Sequence, residues 1–353
     1  MKSFLKSKLP MALMALCSLS ACNNGGPDPV IPDSEKVVDH LIFKEICYTG
    51  TLHATKNYSY PYDSYIKIMN PTADKTFYLD GLCLVQTGLS CSKIVELKEK
   101  NNFISTHFGA SRLVQFPGSG QQYPIKPGEE IIITGYAIDH TKETEEMWNP
   151  ASYDLSGAKF EWYSPEQIKE EEIFEDNADV PNMKTLFPED GNDIVFTMIP
   201  EEGALALVKL PDGVTMDKLL KEDEYKWVTT WTEFKKEGNG QGSGHSHNNE
   251  SDPVEMLKIP NAWVVDAVQI CPQQDYKWSV VGPELDRGYK SVLTSSRDKR
   301  TNPQALAGKS LVRRWDGKKY VDGNNSSQDF EVRDASLSAK GKSQPVPGAS
   351  AAQ

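Results

Sequence analysis

Histidines and acidic residues are the side chains of this sequence with the clearest potential for chemistry. His245 and His247 lie in a loop rich in Gly, Ser and Asn, which offers no neighbours to orient them as metal ligands. The stretch from Glu166 to Asp179 carries seven acids and could attract Ca²⁺, but its spacing matches no calcium-loop pattern. We therefore predict no metal site, and we interpret the acidic stretch as the solvated face of a helix.

Motifs of known catalytic sites are absent. The sequence contains no H-E-x-x-H, G-x-S-x-G, phosphate-binding loop or dinucleotide-binding motif. The other histidines, His40, His53, His107 and His140, are scattered, so we expect them to be surface or supporting polar groups. We predict a protein without enzymatic activity, with no catalytic residues and no cofactor.

Three tyrosines alternate with other residues in the segment NYSYPYDSY. Tyr58, Tyr60 and Tyr62 each combine a flat ring with a polar tip, and such side chains lose little entropy on binding. We predict that they bind a sugar or a protein, and the alternative is that their rings cover the edge of the core. Trp227 and Trp231 are assigned to the core, and a second aromatic platform is the alternative.

Short apolar runs separated by turn residues must position these side chains. Such runs are found at Leu41–Tyr48, Tyr65–Met69, Thr76–Val85, Glu130–Ala137, Asp193–Met198, Ala204–Leu210 and Ala262–Ile270. Their length and their Ile, Val, Leu and Tyr content predict a mainly β protein, an antiparallel β-sandwich with loop and short helical insertions. Helices are predicted at Ser164–Phe174 and Thr215–Lys221.

The segment YIKIMNPTADKTFYLDGLCLVQT, Tyr65–Thr87, predicts a hairpin within this sandwich. Ile66 and Ile68 share one face of the first strand, which we expect to be the core face, and Lys67 points to the opposite, solvent face. The residues Asn70–Lys75 are typical of a turn.

The N-terminus has the properties of an export signal. A basic start precedes the apolar run Leu9–Ala21, whose 13 residues are fewer than the ~20 of a membrane-spanning helix. The run ends in LSAC, which resembles a bacterial lipobox. That resemblance implies removal of residues 1–21 as a lipoprotein signal peptide and lipidation of Cys22. An ordinary secretory signal is the alternative.

Asn23 follows the lipobox cysteine, and an aspartate at that place would retain an enteric-type lipoprotein in the inner membrane. We therefore predict a lipid anchor in the outer membrane, with the body facing either the medium or the periplasm. Residues 22–36 are expected to be a flexible tether, 37–334 the folded domain and 335–353 a disordered tail. The net charge of −12, without a basic patch, argues against nucleic acid as a partner.

Four of the six cysteines remain after the leader and the lipidated residue are set aside: Cys47, Cys83, Cys91 and Cys271. An oxidising compartment permits disulfides, and four cysteines allow three pairings. Cys83 and Cys91 are close enough in sequence to close a loop. Cys47 and Cys83 lie in strand-like runs, where a small buried apolar residue is the alternative.

Five segments in order along residues 41–332 carry a resemblance: FKEICYTGT, YIKIMNPTADKTFYLDGLCL, GAKFEWY, VPNM and SLVRRWDGKKYVDGNNSSQDF. They resemble an uncharacterised domain-of-unknown-function family of Bacteroidota-type lipoproteins and, more distantly, lamin-tail domains. The resemblance implies an immunoglobulin-like sandwich and brings no catalytic residues. Compared with lamin-tail domains, the chain has insertions around 96–122 and 138–182.

We therefore expect an outer-membrane lipoprotein with a non-enzymatic binding function, and the sequence does not identify its ligand. The genes of some members of the family lie near those of TonB-dependent-type outer-membrane receptors, which suggests an accessory role beside such a receptor. A structural or adhesive cell-surface protein is the alternative, and a hydrolase is a weaker one.

Overall fold

Strands separated by short helical turns make up the computed structural model, which describes residues 38–93, 95–97, 103–143, 148–163, 176–188, 198–233 and 253–343. The strands are β1 (Ile42–Cys47), β2 (Thr51–Leu52), β3 (Ser59–Tyr60), β4 (Tyr65–Met69), β5 (Phe77–Tyr78), β6 (Cys83–Thr87), β7 (Val95–Leu97), β8 (His107–Gln115), β9 (Pro124–Ile125), β10 (Glu130–Thr134), β11 (Phe160–Glu161), β12 (Lys184–Phe187), β13 (Gly203–Val208), β14 (Lys226–Thr229), β15 (Trp231–Glu233), β16 (Val254–Pro260), β17 (Val264–Ile270), β18 (Lys309–Arg313) and β19 (Phe330–Asp334). The helices are α1 (Phe103–Thr106), α2 (Met216–Lys221), α3 (Asp298–Thr301), α4 (Pro303–Leu306), α5 (Ser326–Asp329) and α6 (Ala339–Lys342), with 3₁₀ turns at Pro61–Asp63, Asp223–Tyr225 and Asn261–Trp263.

Two large sheets form a sandwich. The first has the strand order β11-β10-β4-β1-β18-β19, in which β10 and β11 are parallel and the other neighbours antiparallel. The second has the order β14-β16-β8-β6-β13-β17, all antiparallel, with β12 also paired to β8. The prediction of a mainly β, antiparallel sandwich with few short helices is confirmed.

The main core lies between the two sheets. Ile66 and Ile68 of β4 pack in one apolar cluster with Leu84 of β6, Leu207 of β13 and Val268 of β17, and all five are fully buried. Alternation along each strand sends these side chains inward. Ile66 and Ile68 therefore face the core, as predicted.

The predicted hairpin over Tyr65–Thr87 is wrong. Strand β4 lies between β1 and β10 in the first sheet, whereas β6 lies between β8 and β13 in the second. The segment between β4 and β6 passes from the first sheet to the second. Within it, the Asn70 side chain donates to the carbonyls of Lys75 at 2.7 Å and Ile125 at 2.9 Å, and these bonds stabilise the turn. The turn residues predicted a change of direction but not the sheet that the next strand joins.

Lys67 is not exposed, although it points away from the core as predicted. Only 8% of its surface is accessible, and its Nζ lies 3.3 Å from Glu130 and 3.7 Å from Glu45. Part of the cover is the C-terminal segment, in which the Ser336 amide donates to Glu45 at 2.8 Å. The described residues continue to 343 and include α6. Residues 335–343, which we expected to be part of a disordered tail, are therefore ordered parts of the fold.

The disulfide joins Cys91 to Cys271, 180 residues apart, and not Cys83 to Cys91. It connects the segment after β6 with the end of β17, on the outer side of the second sheet. Cys47 and Cys83 are buried free thiols, as the apolar interpretation predicted, and burial raises the pKa of both.

Of the two predicted helices, the one near Thr215 is confirmed as α2. The Thr215 hydroxyl caps it by accepting the Lys218 amide at 3.2 Å. The helix predicted at 164–174 and most of the strand predicted at 193–198 lie outside the described residues.

We expect charge reversal at Lys67 to destabilise the protein. Lys67→Asp would place a third acid between Glu45 and Glu130, in a site with little water, and should lower the free energy of unfolding by on the order of 2 kcal/mol or more. Ile68→Asp, which buries an unpaired charge in the main core, should cost on the order of 3 kcal/mol or more. Denaturant melts would measure both.

Lys159→Asp is the matched control, because Lys159 is exposed in the segment just before β11. It should change stability by less than about 1 kcal/mol. If Lys67→Asp were as mild as Lys159→Asp, the outer face of the first sheet would be solvated and not covered by the C-terminal segment.

Candidate functional site

The three predicted tyrosines meet in one surface cleft of about 390 Å³. We call it the tyrosine cleft, and its lining includes His53, Lys56, Tyr58, Tyr60, Tyr62 and Trp148. Tyr58 is 46% exposed, Tyr60 is 3% exposed and Tyr62 is partly buried. The predicted cluster therefore exists, but its rings differ in role: Tyr60 belongs to the floor and Tyr58 to the rim.

A two-stranded hairpin, β2 with β3, positions the first two tyrosines. Thr51 pairs with Tyr60, and Leu52 pairs with Ser59. Gly50 allows the hairpin to begin there, with φ of +68° and an approach so close that a Cβ would lie 1.9 Å from the Tyr60 carbonyl oxygen. A larger residue at this position would displace β3 and Tyr60 with it.

Asp63 fixes the base of the cleft. Its carboxylate is fully buried and accepts hydrogen bonds from the Thr51 hydroxyl and the Ser152 hydroxyl, both at 2.6 Å, and from the Thr51 amide at 3.2 Å. Burial raises the pKa of Asp63 to about 6, against these bonds, which lower it. The carboxylate thus ties β2 to the segment around Ser152 and to the tyrosine-bearing 3₁₀ turn Pro61–Asp63.

Asn149 holds the opposite wall, where Trp148 lies. Its buried amide donates to the Thr51 hydroxyl at 2.8 Å and to the Leu52 carbonyl at 3.0 Å, and its oxygen accepts the Ala54 amide at 2.9 Å. Both polar atoms of the Asn149 side chain thus form hydrogen bonds to the hairpin segment, and these bonds hold the adjacent Trp148 next to it.

His140 supports Tyr60 from below. Its Nε2 lies 3.2 Å from the Tyr136 carbonyl, which can only accept, so Nε2 carries the proton and Nδ1 accepts the Tyr60 hydroxyl at 2.9 Å. Burial lowers the pKa of His140 to about 4, so the ring is neutral at physiological pH. The Tyr60 hydroxyl therefore donates its proton within the protein and cannot donate it to a ligand.

Tyr58 presents the accessible ring of the site. The His53 ring lies 5.4 Å from it, and the Lys56 ammonium lies 5.5 Å from its centroid, within the range of a cation–π contact. At the floor, Tyr62 meets Tyr60 edge-to-face at 5.1 Å. The cleft thus combines aromatic surface with the exposed ammonium group of Lys56 and with the hydroxyl groups of the tyrosines.

This arrangement suits binding by stacking and hydrogen bonding. In the part of the chain that the structure describes, no three His, Cys, Asp or Glu side chains converge as metal ligands. Across the same described ranges, no helix is long and apolar enough to cross a membrane.

A second cleft, of about 460 Å³, lies between residues 289–294 and β19. Polar residues such as Lys290 and Ser291 lie in its lining beside apolar ones such as Val292 and Leu293. Among the described residues that line it, the one aromatic ring is Tyr289, one face of which is already stacked on Tyr276 at 3.8 Å. It offers a ligand less aromatic surface than the tyrosine cleft, despite its larger volume.

Several residues singled out from the sequence fall elsewhere. His245, His247, Cys22 and the acids from Glu166 to Glu175 lie outside the described residues. Trp227 is buried against Phe103 at 3.6 Å and belongs to the core, as predicted.

Trp148, Asn149 and Asp63 are the residues of this site whose roles sequence reasoning missed, whereas His140 is a supporting polar group, as expected. Asp63 alone carried a local signal, because it follows the last tyrosine of the cluster. Trp148 and His140 are brought there by a segment about 80 residues further along the chain.

The comparisons with known proteins concern the family. A family model described as "Protein of unknown function (DUF4876)" matches residues 126–336. The chain is similar to the crystal structure of a DUF4876 family protein from Bacteroides thetaiotaomicron VPI-5482, with 25% identity, a TM-score of 0.61, and coverage of 84% of this chain and 71% of that one. No curated protein matches. Since the family model matches more than half of the sequence, the chain belongs to the DUF4876 family.

Proposed function

We propose that this protein is a non-enzymatic binding protein of the bacterial outer membrane, which binds a carbohydrate in the tyrosine cleft. The observation that supports this most is the exposed Tyr58 ring, which has His53 and Lys56 near it and lies above a floor held by buried hydrogen bonds. Aromatic faces stack on sugar rings, while hydroxyl and ammonium groups bind the hydroxyls around them.

The size of the cleft favours a sugar over a protein partner. A volume of about 390 Å³ is in the range of small-ligand pockets, whereas a stable protein interface needs roughly 800 Å² on each partner. Lys56 adds a charge-assisted donor, which favours a sugar that carries a carboxylate.

The rigidity of the site adds to its suitability. Asp63, Asn149 and His140 fix the hairpin and the opposite wall before any ligand arrives. Binding then does not have to order the site, and that entropic cost is avoided.

The membrane anchor is proposed from the N-terminal sequence. The lipobox-like LSAC makes Cys22 the lipidated residue, and Asn23 favours the outer membrane. A binding protein tethered there would deliver its ligand to an outer-membrane receptor, and we propose such an accessory role. Kinship with lamin-tail domains is likewise a proposal, supported by the antiparallel two-sheet architecture.

Tyr58→Ser should weaken sugar binding at least roughly tenfold, because truncating an aromatic at a binding hot spot typically costs about 2 kcal/mol or more. Isothermal titration with neutral and carboxylated oligosaccharides would measure it. The melting temperature should stay within about 2 °C of wild type, since the ring is half exposed.

Val228→Ser is the control, because Val228 is 57% exposed and lies outside the tyrosine cleft. Its affinity should equal that of wild type. If Tyr58→Ser kept full affinity, or if no sugar of the panel bound the wild-type protein, the proposed function would be rejected.

Cys22→Ala tests the anchor separately. Without the thiol, no diacylglycerol can be attached, so fractionated cells should contain the protein in the soluble fraction or as an uncleaved precursor. Wild-type amounts of mature-sized variant in the outer-membrane fraction would contradict lipidation at this residue. Cys83→Ala is the matched substitution at a buried, unpaired cysteine and should leave fractionation unchanged.

A further inference from the structure

Two buried side-chain oxygens without hydrogen-bond partners flank the end of β11: Oε1 of Glu161 and Oδ1 of Asn182. The Glu161 side chain is fully buried. The two residues form a parallel bridge, and the Met183 amide donates to the Glu161 carbonyl at 2.7 Å. Buried polar atoms are rarely left unsatisfied, so an electropositive partner is expected here.

A second carboxylate adjoins both residues. The Asn182 amide donates to Asp176 Oδ1 at 2.9 Å, and Asp176 is also a direct neighbour of the Glu161 carboxyl. The groups that act most strongly on the Glu161 carboxyl are the backbone of Ala137, the backbone of Asn177 and the side chain of Asp176, and none of these is a cation. Asp176 is therefore a neighbour of both the Glu161 carboxyl and the Asn182 amide.

The electrostatics of Glu161 agree with this geometry. Its Oε2 accepts the Ala137 amide at 2.8 Å, which leaves Oε1 for a further partner, and Asp176 adds a second carboxylate beside it. Two neighbouring carboxylates repel one another, and either a proton or a metal cation between them would relieve that repulsion.

We propose that Glu161, Asp176 and Asn182 form a Ca²⁺ site at the end of β11, independent of the tyrosine cleft. The donors are all oxygens, which is the set that hard cations prefer, and Ca²⁺ accepts amide oxygens and waters in irregular geometry more readily than Mg²⁺ does. Asp176 is exposed, so the ion can enter from solvent. The proposal departs from the sequence-based expectation that the protein has no metal site.

The test is calcium titration of the purified full-length protein after removal of metals with a chelator. With two carboxylates, the affinity should resemble that of extracellular modules, with a Kd of about 0.1–1 mM. Calcium at about 10 mM should then raise the melting temperature by roughly 3–5 °C. Glu161→Gln keeps an oxygen for the Ala137 amide and should weaken calcium binding at least roughly tenfold.

Asp176→Asn provides a second variant at an exposed position, in case Glu161→Gln folds poorly, and should weaken calcium binding in the same way. Asp154→Asn removes an exposed carboxylate from a neighbouring segment and should bind calcium as wild type does. Absence of calcium binding in the wild-type protein would overturn the proposal, and a Glu161→Gln variant more stable than wild type would then show that the pair holds a proton. Unchanged binding in both site variants would overturn it as well.

Discussion

The rest of the structure depends on one buried ion pair, which joins the two large sheets. Arg313 of β18, in the first sheet, lies 2.6 Å from the carboxylate of Asp266 of β17, in the second, and both side chains are almost completely buried. The same carboxylate accepts the Phe43 amide at 2.7 Å, and Arg313 donates to the Phe43 carbonyl at 2.9 Å. An unpaired charge in this place would be strongly destabilising, so the pair fixes how β1, β17 and β18 meet.

The tyrosine cleft depends on this arrangement because it occupies the connection between two neighbouring strands of the first sheet. Strand β1 ends at Cys47, β4 begins at Tyr65, and these two residues are paired across the sheet. The 17 residues between them must leave and return to adjacent positions. Their course is set by Gly50 and by the bonds of Asp63, which turn a surface loop into a supported binding site.

Local sequence patterns were sufficient for some of this and insufficient for the rest. Alternation predicted β4 with its bounds and the inward direction of Ile66 and Ile68, because burial on one face leaves a period of two. The same pattern could not show that the opposite face is covered, since the cover over Lys67 comes from the far end of the chain. The sheet that β6 joins is likewise decided by partners distant in sequence.

The sites show the same division. The tyrosine cluster was visible because its members are neighbours in sequence, whereas Trp148 and His140 arrive through tertiary contacts. Asp176 of the Glu161 site lies in the acidic stretch that the sequence suggested could attract Ca²⁺, but Glu161 and Asn182 carry no motif that would join them to it. The site is distinguished by burial and by oxygen atoms without hydrogen-bond partners, and neither property is visible in a sequence.

The central claim, that recognition takes place in the tyrosine cleft, is tested most directly by hydroxyl-radical footprinting with and without a bound oligosaccharide. The account predicts reduced oxidation of Tyr58 and Trp148 in the bound state, with Trp278 and Tyr289 unchanged, because the latter two lie outside the cleft. Protection of Tyr289 with unaltered oxidation of Tyr58 would place binding in the second cleft and contradict the account.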